Sequence, residues 1–296
     1  MTRLAIAAAG AAALALSAAA CGGGSEDPVD VDNACGFRDG EPNNNADHAT
    51  TVDMGAMFTG CLEHADTDYL SIQSPGDATG GYVQATIGEV SGTVRVTIYD
   101  DTGKTELGSF VAEAPGAPLS FYWASAAGQQ TRIAVTDEAG GGTPYAYQLT
   151  TNYTAVADPF EPNDAMTAAA AVPDGGQMSA YLFAGRHDAS NDPAAFDDYY
   201  RFQAQPGAVS IHLDDVPSNL AARVFLFRTD GTEVARVSSG VRGGALVVNP
   251  PTVVTAEDFI VRVSVWDNPP AGVGAGTELP ASFTQAYKLS VSQPQP

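Results

Sequence analysis

The stretch that decides the fold reads Val-Thr-Ile-Tyr-Asp-Asp-Thr-Gly over residues 96–103. Its first four side chains alternate between aliphatic and other types, which is the pattern of a strand with one buried face. The glycine at its end can take the positive φ that a tight turn requires. Residues 224–231 repeat the pattern as Val-Phe-Leu-Phe-Arg-Thr-Asp-Gly. One strand and its turn therefore occur twice, about one domain length apart.

Three further blocks recur around these two strands in the same order. They are Glu-Pro-Asn-Asn at 41–44 with Glu-Pro-Asn-Asp at 161–164, residues 68–72 with 198–202, and residues 146–150 with 286–290. The spacing between blocks differs because loops differ in length, notably around residues 186–195. Ordered blocks separated by variable loops indicate a duplicated domain.

The remaining periodic segments also predict strands. In the first copy they span 82–87, 120–124, 132–136 and 145–151; in the second they span 199–203, 209–213, 222–227, 233–237, 245–248, 259–265 and 286–291. The many glycines and prolines, 31 and 19, suit the turns between short strands. We therefore predict an all-β chain of two tandem antiparallel β-sandwiches of jelly-roll type, 36–154 and 155–296.

The amino terminus has the pattern of a secretory signal peptide over residues 1–20. A single basic residue, Arg3, precedes an alanine-rich and uncharged stretch that ends in small residues. Ala18-Ala19-Ala20-Cys21 resembles the lipobox of bacterial lipoproteins, although that family usually has leucine where Ala18 stands. The resemblance implies a lipid on Cys21, a tether over 21–35 and anchoring at the outer membrane or cell surface. The alternative is an ordinary signal peptide, with Cys21 incidental.

Two cysteines remain if Cys21 carries lipid. Exported proteins fold in an oxidising compartment, so we predict a disulfide between Cys35 and Cys61. The alternative is a pair of buried free thiols.

The charge balance limits the partners. Thirteen Lys and Arg stand against 35 Asp and Glu, a net charge of −22. Such a chain is unsuited to binding nucleic acid or to adhering to anionic lipid by charge. The acidity does allow cation binding, although acidic residues mostly solvate a surface.

The four recurring blocks, taken together, resemble the bacterial pre-peptidase C-terminal domain family, in two copies between about residues 40 and 292. The resemblance implies a sandwich of jelly-roll type. Such domains commonly accompany secreted peptidases, and some relatives bind calcium or extracellular matrix polymers. This chain shows no peptidase domain, so an accessory role beside a peptidase is an alternative function.

Calcium is the predicted ligand of the Glu-Pro-Asn segments, because it prefers carboxylate, amide and backbone oxygens. The predicted ligands are Asp39, Glu41, Asn43, Asn44, Asp66 and Asp68 in the first copy, and Glu161, Asn163, Asp164, Asp197 and Asp198 in the second. A disulfide from Cys35 to Cys61 would bring the two parts of the first set together. The alternative is that these segments only open a turn through Asx hydrogen bonds.

Aromatic residues are the predicted contacts for a larger ligand. Tyr122, Trp123, Tyr199 and Trp266 are candidates, and Trp266 precedes a loop rich in Pro and Gly at 268–276. The alternative is that those in strands point into the core.

The four histidines belong to no catalytic motif that we recognise. The sequence therefore predicts a non-catalytic cell-envelope lipoprotein that binds extracellular protein or polysaccharide. A structural spacer or an assembly partner of a secretion complex is the alternative.

Overall fold

Strands make up almost all regular structure in this protein. The computed structural model describes residues 35–36, 39–76, 80–140, 143–173, 176–182, 197–265 and 272–293. The predicted all-β class is confirmed. Over the described residues, no helix is long and apolar enough to cross a membrane. The predicted signal peptide, Cys21 and Trp266 lie outside these ranges.

Nine strands belong to the first repeat and ten to the second, counted over the described ranges. The first repeat contains β1 (Thr50–Val52), β2 (Met57–Leu62), β3 (Thr67–Gln73), β4 (Gly81–Gly88), β5 (Val94–Tyr99), β6 (Glu106–Val111), β7 (Leu119–Ser125), β8 (Gln130–Asp137) and β9 (Tyr145–Ala155). The second contains β10 (Ala170–Ala171), β11 (Gln177–Ala180), β12 (Asp198–Ala204), β13 (Ser210–Asp214), β14 (Ala222–Arg228), β15 (Glu233–Ser238), β16 (Leu246–Val248), β17 (Glu257–Val265), β18 (Val273–Ala275) and β19 (Tyr287–Ser292). Short helical turns occur at Ala46–His48, Met166–Ala168 and α1 (Ala281–Thr284).

Each repeat contains two sheets, and the strand order of the second repeat reproduces that of the first. The front sheet has the order β1-β3-β8-β5-β6 in the first repeat and β10-β12-β17-β14-β15 in the second. The back sheet runs β7-β4-β9-β2 and then β16-β13-β19-β11. The two repeats thus share one strand order in each of their two sheets.

Most strand pairs are antiparallel, as predicted, but each repeat contains one parallel pair. β1 runs parallel to β3, and β10 runs parallel to β12. The reason is the chain path: after the first strand the chain crosses to the back sheet as β2 or β11 before it returns to the front. A return from the opposite sheet, unlike a hairpin, can leave two neighbouring strands in the same direction.

Each repeat has its own hydrophobic core between its two sheets. Val96 and Ile98 of β5 are fully buried in the first core, and Val224 and Leu226 of β14 are fully buried in the second. These are the alternating positions that identified the fold. Burying one such side chain contributes roughly 1.5–3 kcal/mol.

The two repeats are joined by a strand that the second repeat supplies to the first. β18 lies at the edge of the first back sheet, where Val273 pairs with Trp123 and Ala275 pairs with Phe121. Two backbone hydrogen bonds flank the pair, from Ala124 N to the carbonyl of residue 272 at 2.6 Å and from Gly276 N to the carbonyl of residue 120 at 2.8 Å. The sequence analysis predicted a loop at 268–276. Residues 273–275 instead complete a sheet of the other repeat.

A small apolar cluster lies beside this joint. Phe283 of α1 stacks on Tyr82 at 5.4 Å between ring centroids and meets the edge of Tyr122 at 5.6 Å. Tyr122 therefore packs between the repeats, while Trp123 is 1% exposed in the first core. The prediction that Trp123 contacts a ligand is wrong, because β18 and the core enclose its ring.

Phe283 tests how strongly the repeats depend on this joint. Phe283→Ala should lower the free energy of unfolding by about 3–5 kcal/mol, the usual cost of emptying a packed phenylalanine site. Urea unfolding of the mature chain measures it. Val254→Ala, at a side chain that is 85% exposed, is the control and should change stability by less than about 0.5 kcal/mol. Equal effects of the two substitutions would show that the joint adds little stability.

Candidate functional site

The first candidate site forms where β3 begins. Asp68 has the same alternation as Leu70 and Ile72, so its carboxylate points into the end of the sandwich, and all three side chains are buried. Tyr147 of β9 is also fully buried. The ring of Tyr147 fits because Gly60 of β2 has no side chain at the point of contact. A carboxylate and a phenol thus share the dry interior of the repeat.

The segment before β1 brings two more carboxylates to Asp68. Oxygen atoms of Asp39, Glu41 and Asp68 all lie within 4.8 Å of one another. Asp39 is buried and accepts a hydrogen bond from the backbone amide of Cys61 at 2.8 Å. We call Asp39, Glu41, Asn43 and Asp68 the acidic centre.

The predicted disulfide between Cys35 and Cys61 is confirmed, with 6.0 Å between the Cα atoms. The disulfide attaches the segment before Asp39 to β2, close to the hydrogen bond from the Cys61 amide to the Asp39 carboxylate. The sequence argument that the bridge and the acidic residues share one location is therefore correct for Asp39 and Glu41.

Asn43 contributes an amide to the acidic centre. The side chain is fully buried, and one end of its amide lies 3.2 Å from Glu41 Oε1 and 3.2 Å from Asp68 Oδ1. A nitrogen at this end donates to both carboxylates, whereas an oxygen at this end is a further ligand for a cation. With the oxygen there, the nitrogen donates to Thr50 at 3.4 Å. The backbone carbonyl of Asn43 accepts from Tyr69 N at 2.9 Å, which fixes the segment to β3.

Burial sets the protonation of the centre. The pKa of Asp68 is raised to about 8, first by its burial and then by neighbouring carboxylates, of which Asp66 and Asp39 act most strongly. The Tyr147 hydroxyl opposes this rise. That hydroxyl and Asp68 Oδ2 are nevertheless both buried without a hydrogen bond of normal geometry. The pKa of Glu41 is also raised, mainly by desolvation.

The second repeat has an equivalent site, in which tyrosine hydroxyls contact the buried aspartate. Asp198 is buried at the start of β12 and accepts a hydrogen bond from the Tyr287 hydroxyl at 2.6 Å. The Tyr200 hydroxyl lies 2.5 Å from that of Tyr287 and 3.3 Å from Asp198. Burial raises the pKa of Asp198 well above its usual range. Tyr287 and Tyr147 occupy the same place in their repeats.

Asp158 belongs to the second site, and the sequence analysis missed it. Its carboxylate accepts from the backbone amide of Tyr181 at 2.7 Å, as Asp39 does from Cys61. Asp39 stands two residues before its Glu-Pro pair, and Asp158 stands three residues before. An alignment that superposes the two Glu-Pro pairs without a gap does not match Asp158 to Asp39. A gap of one residue would have matched them.

Four other predicted ligands lie around the sites without joining the close carboxylate group. Asp66 accepts from Thr67 N at 2.7 Å in the turn before β3. Asn44 is exposed, and its amide reaches Glu41 at 3.4 Å. Asp164 acts on Asp198 by its charge. Asp197 pairs with Arg262 at 3.4 Å. A carboxylate already paired with a guanidinium is a poor metal ligand, which argues against Asp197.

Glu161 and Asn163 keep the geometry of the first copy. Glu161 accepts from Asn163 N at 3.0 Å, just as Glu41 accepts from Asn43 N at 2.8 Å. The Asn163 side chain is buried, and neither of its amide atoms has a hydrogen bond of normal geometry. Both Glu-Pro bonds are cis. The Glu-Pro-Asn turn is therefore the same structure in both repeats.

The acidic centre offers oxygen ligands only. Three carboxylates and an amide suit a hard cation such as calcium, and without a cation Asp68 holds a proton up to about pH 8. A serine and a histidine do meet elsewhere: Ser210 Oγ lies 2.9 Å from His212 Nε2, on one face of β13. Over the described residues no hydrogen bond links His212 to a carboxylate, so the pair lacks the orienting third group of a triad.

Comparisons with known proteins give distant likenesses. Neither family models nor curated proteins match the chain. Among solved structures, the pre-peptidase C-terminal domain of collagenase from Bacillus anthracis is 14% identical over 35% of this chain and 94% of that chain, with a TM-score of 0.29. PliG, a periplasmic lysozyme inhibitor from Aeromonas hydrophila, is 17% identical over 36% and 97%, with a TM-score of 0.25. The tandem CBM22 domains of Paenibacillus barcinonensis Xyn10C are 11% identical over 80% and 86%, with a TM-score of 0.24. These similarities assign neither a family nor an activity.

The pKa of Asp68 predicts a pH dependence for the metal-free protein. The folded pKa of about 8 exceeds the unfolded value of about 4, so the folded state binds the proton more tightly. This contribution to stability is complete below about pH 4 and is lost as the pH rises to about 8. Asp68→Asn mimics the protonated form at every pH. In chelator, the variant should match the wild type near pH 3.5 and unfold at a higher temperature near pH 8.5.

Asp101→Asn, at an exposed carboxylate, is the control and should follow the wild type at both pH values. A constant difference in midpoint between Asp68→Asn and the wild type, independent of pH, would contradict the raised pKa.

Proposed function

We propose that this chain is a non-catalytic binding or scaffold module of the bacterial cell envelope, anchored by lipid at Cys21, in which calcium at the acidic centre fixes the amino-terminal segment to the first repeat. The observation that carries the proposal is the burial of Asp68 among other oxygen groups. A buried carboxylate needs a proton, a donor or a cation. Asp68 holds a proton below about pH 8, and its Oδ2 has no hydrogen bond of normal geometry, so above that pH a cation is the remaining compensation.

Calcium fits the composition of the acidic centre. Its ligands are oxygens in a flexible arrangement of six to eight, which carboxylates, amides, backbone carbonyls and water supply together. Asp39, Asn43 and Asp68 are buried, and Glu41 lies exposed at the rim, where water can complete the shell. The second site already satisfies Asp198 with two tyrosine hydroxyls, so we assign calcium to the first repeat.

The position of the centre supports a scaffold role. The tether predicted over 21–35 ends at Cys35, which the disulfide ties to β2, and the acidic centre follows four residues later at Asp39. The bridge and a bound cation would together define where the tether meets the first repeat. The strand β18 then holds the second repeat against the first. Such a chain would present its binding surface in a fixed orientation at the end of a tether.

The calcium proposal is tested by thermal unfolding of the soluble chain 22–296, which lacks the lipidated Cys21, at pH 8 with increasing free calcium. Binding to the folded state alone should raise the midpoint in step with the calcium concentration. Asp68→Asn should start from a higher midpoint in chelator and show no response to calcium. Asp198→Asn should keep the response, which locates the ion in the first repeat. An unchanged wild-type midpoint at millimolar calcium would overturn the proposal.

The lipid anchor rests on the sequence of residues 18–21 and has its own test. The full-length protein, expressed with its signal peptide in a bacterium, should fractionate with membranes, and Cys21→Ser should move it to the soluble exported fraction. Equal membrane association of both forms would contradict a lipid at Cys21.

A further inference from the structure

The outer surface of the front sheet in the second repeat is unusually basic for this chain. Neighbouring strands place four arginines on it: Arg201 of β12, Arg223 of β14, Arg236 of β15 and Arg262 of β17. We call this surface the arginine face. The whole chain has 13 Lys and Arg and a net charge of −22, so this concentration is not expected from composition.

The first repeat provides an internal reference for the arginine face. Strand register matches Arg201 to Ser71, Arg262 to Ala134 and Arg236 to Ser109, and it matches Phe225 to Thr97. Only Arg223 has a basic counterpart, Arg95. At these four positions the first repeat carries hydroxyl or small side chains instead of arginine and phenylalanine. Its own Arg132 stands at the place of Ile260, and Tyr99 stands at the place of Phe227.

Aromatic rings hold part of the arginine face in place. The guanidinium carbon of Arg262 lies 3.8 Å from the ring centre of Phe225, and Arg223 lies 5.5 Å from it. Phe227 stacks on Phe225 at 5.8 Å. Asp197 pairs with Arg262 at 3.4 Å. A stacked guanidinium loses less conformational entropy when it binds an anion, so the surface is partly preorganised.

A groove of about 510 Å³ adjoins the arginine face beside β10. Arg201, Gln203, Asp258 and Thr229 supply its polar lining, and Ile260 and Met166 belong to its apolar lining. Its size lies within the range of small-molecule sites. A cationic donor, an amide, a hydroxyl and a carboxylate acceptor around an apolar floor are suited to a ligand with one acidic group, several hydroxyls and an apolar face.

We propose that this groove and the arginine face bind an acidic polysaccharide, with the carboxylate of a uronic acid residue on Arg201. The planar guanidinium can donate two hydrogen bonds to one carboxylate. Sugar hydroxyls donate to Asp258 and accept from Gln203, while the ring lies against Ile260. The inference rests on the proposed function of a binding module and names its partner class.

Asp258 distinguishes a polysaccharide from an acidic peptide. An acidic peptide and a polyuronate both carry carboxylates that Asp258 repels, but the peptide offers Asp258 only its backbone amides as donors. A sugar presents hydroxyl donors, for which an exposed carboxylate is a good acceptor. The net negative charge of the rest of the chain repels a polyanion. A polyanionic ligand would therefore bind at the local cluster of arginines.

The experiment measures binding of a hexamer of galacturonate to the soluble chain 22–296 by calorimetry, in chelator so that calcium cannot bridge carboxylates. Arg201→Ser introduces the residue that the first repeat has at this place. Arg201 is exposed, so the variant should fold normally, and an unchanged thermal midpoint checks this. We expect binding to weaken about tenfold or more. Lys104→Ser, which removes the same charge from an exposed site in the first repeat, should bind as the wild type does.

Two further probes complete the test. A neutral maltohexaose should bind much more weakly than the uronate, and so should polyglutamate of matched charge. Equal or tighter binding of polyglutamate would overturn the polysaccharide assignment in favour of an acidic peptide. Uronate binding that Arg201→Ser leaves unchanged would overturn this site, and absence of uronate binding would overturn the partner class. The calcium response of the midpoint is measured separately, so either failure leaves the proposed acidic centre standing.

Discussion

A carboxylate that is buried away from water needs a proton, a hydrogen-bond donor or a cation. Each repeat of this protein buries one carboxylate at the start of the equivalent strand. Asp68 and Asp198 begin equivalent strands and point inward because they share the alternation of the aliphatic residues that follow. The segment before the first strand folds over each of them with a Glu-Pro-Asn turn. The path of the chain into each sandwich is thus organised around one buried acid.

The two repeats compensate their buried acids differently. Two tyrosine hydroxyls surround Asp198, and one of them donates to it directly. Asp68 has carboxylates and an amide around it, and its tyrosine stays outside hydrogen-bond geometry. The front sheets also differ, because Ser71, Ala134 and Ser109 of the first stand where the second has Arg201, Arg262 and Arg236. The two repeats share a framework of strands and differ in the side chains that it carries.

The sequence predicted those parts of the structure that local patterns determine. β5 and β14 were recognisable because each buries aliphatic side chains at every second position. β18 was not, because Val-Gly-Ala has little periodicity and its partner strand lies in the other repeat. Trp123 shows a related limit: alternation told which residues share a face, but the choice of the buried face depended on tertiary packing. In the acidic centre, residue types predicted Asp39, Glu41 and Asp68, whereas Asp158 of the second repeat's site was hidden by one inserted residue.

The strand that the second repeat supplies has a consequence for biogenesis. A chain leaves the ribosome amino terminus first, and domains usually fold in that order as they emerge. Here the edge of the first back sheet is completed by residues 273–275, close to the far end of the chain. The back sheet of the first repeat therefore becomes complete only after most of the second repeat has been synthesised. Until then its β7 edge stays available to other strands, so slow synthesis of the second repeat leaves the first repeat open to edge-to-edge association.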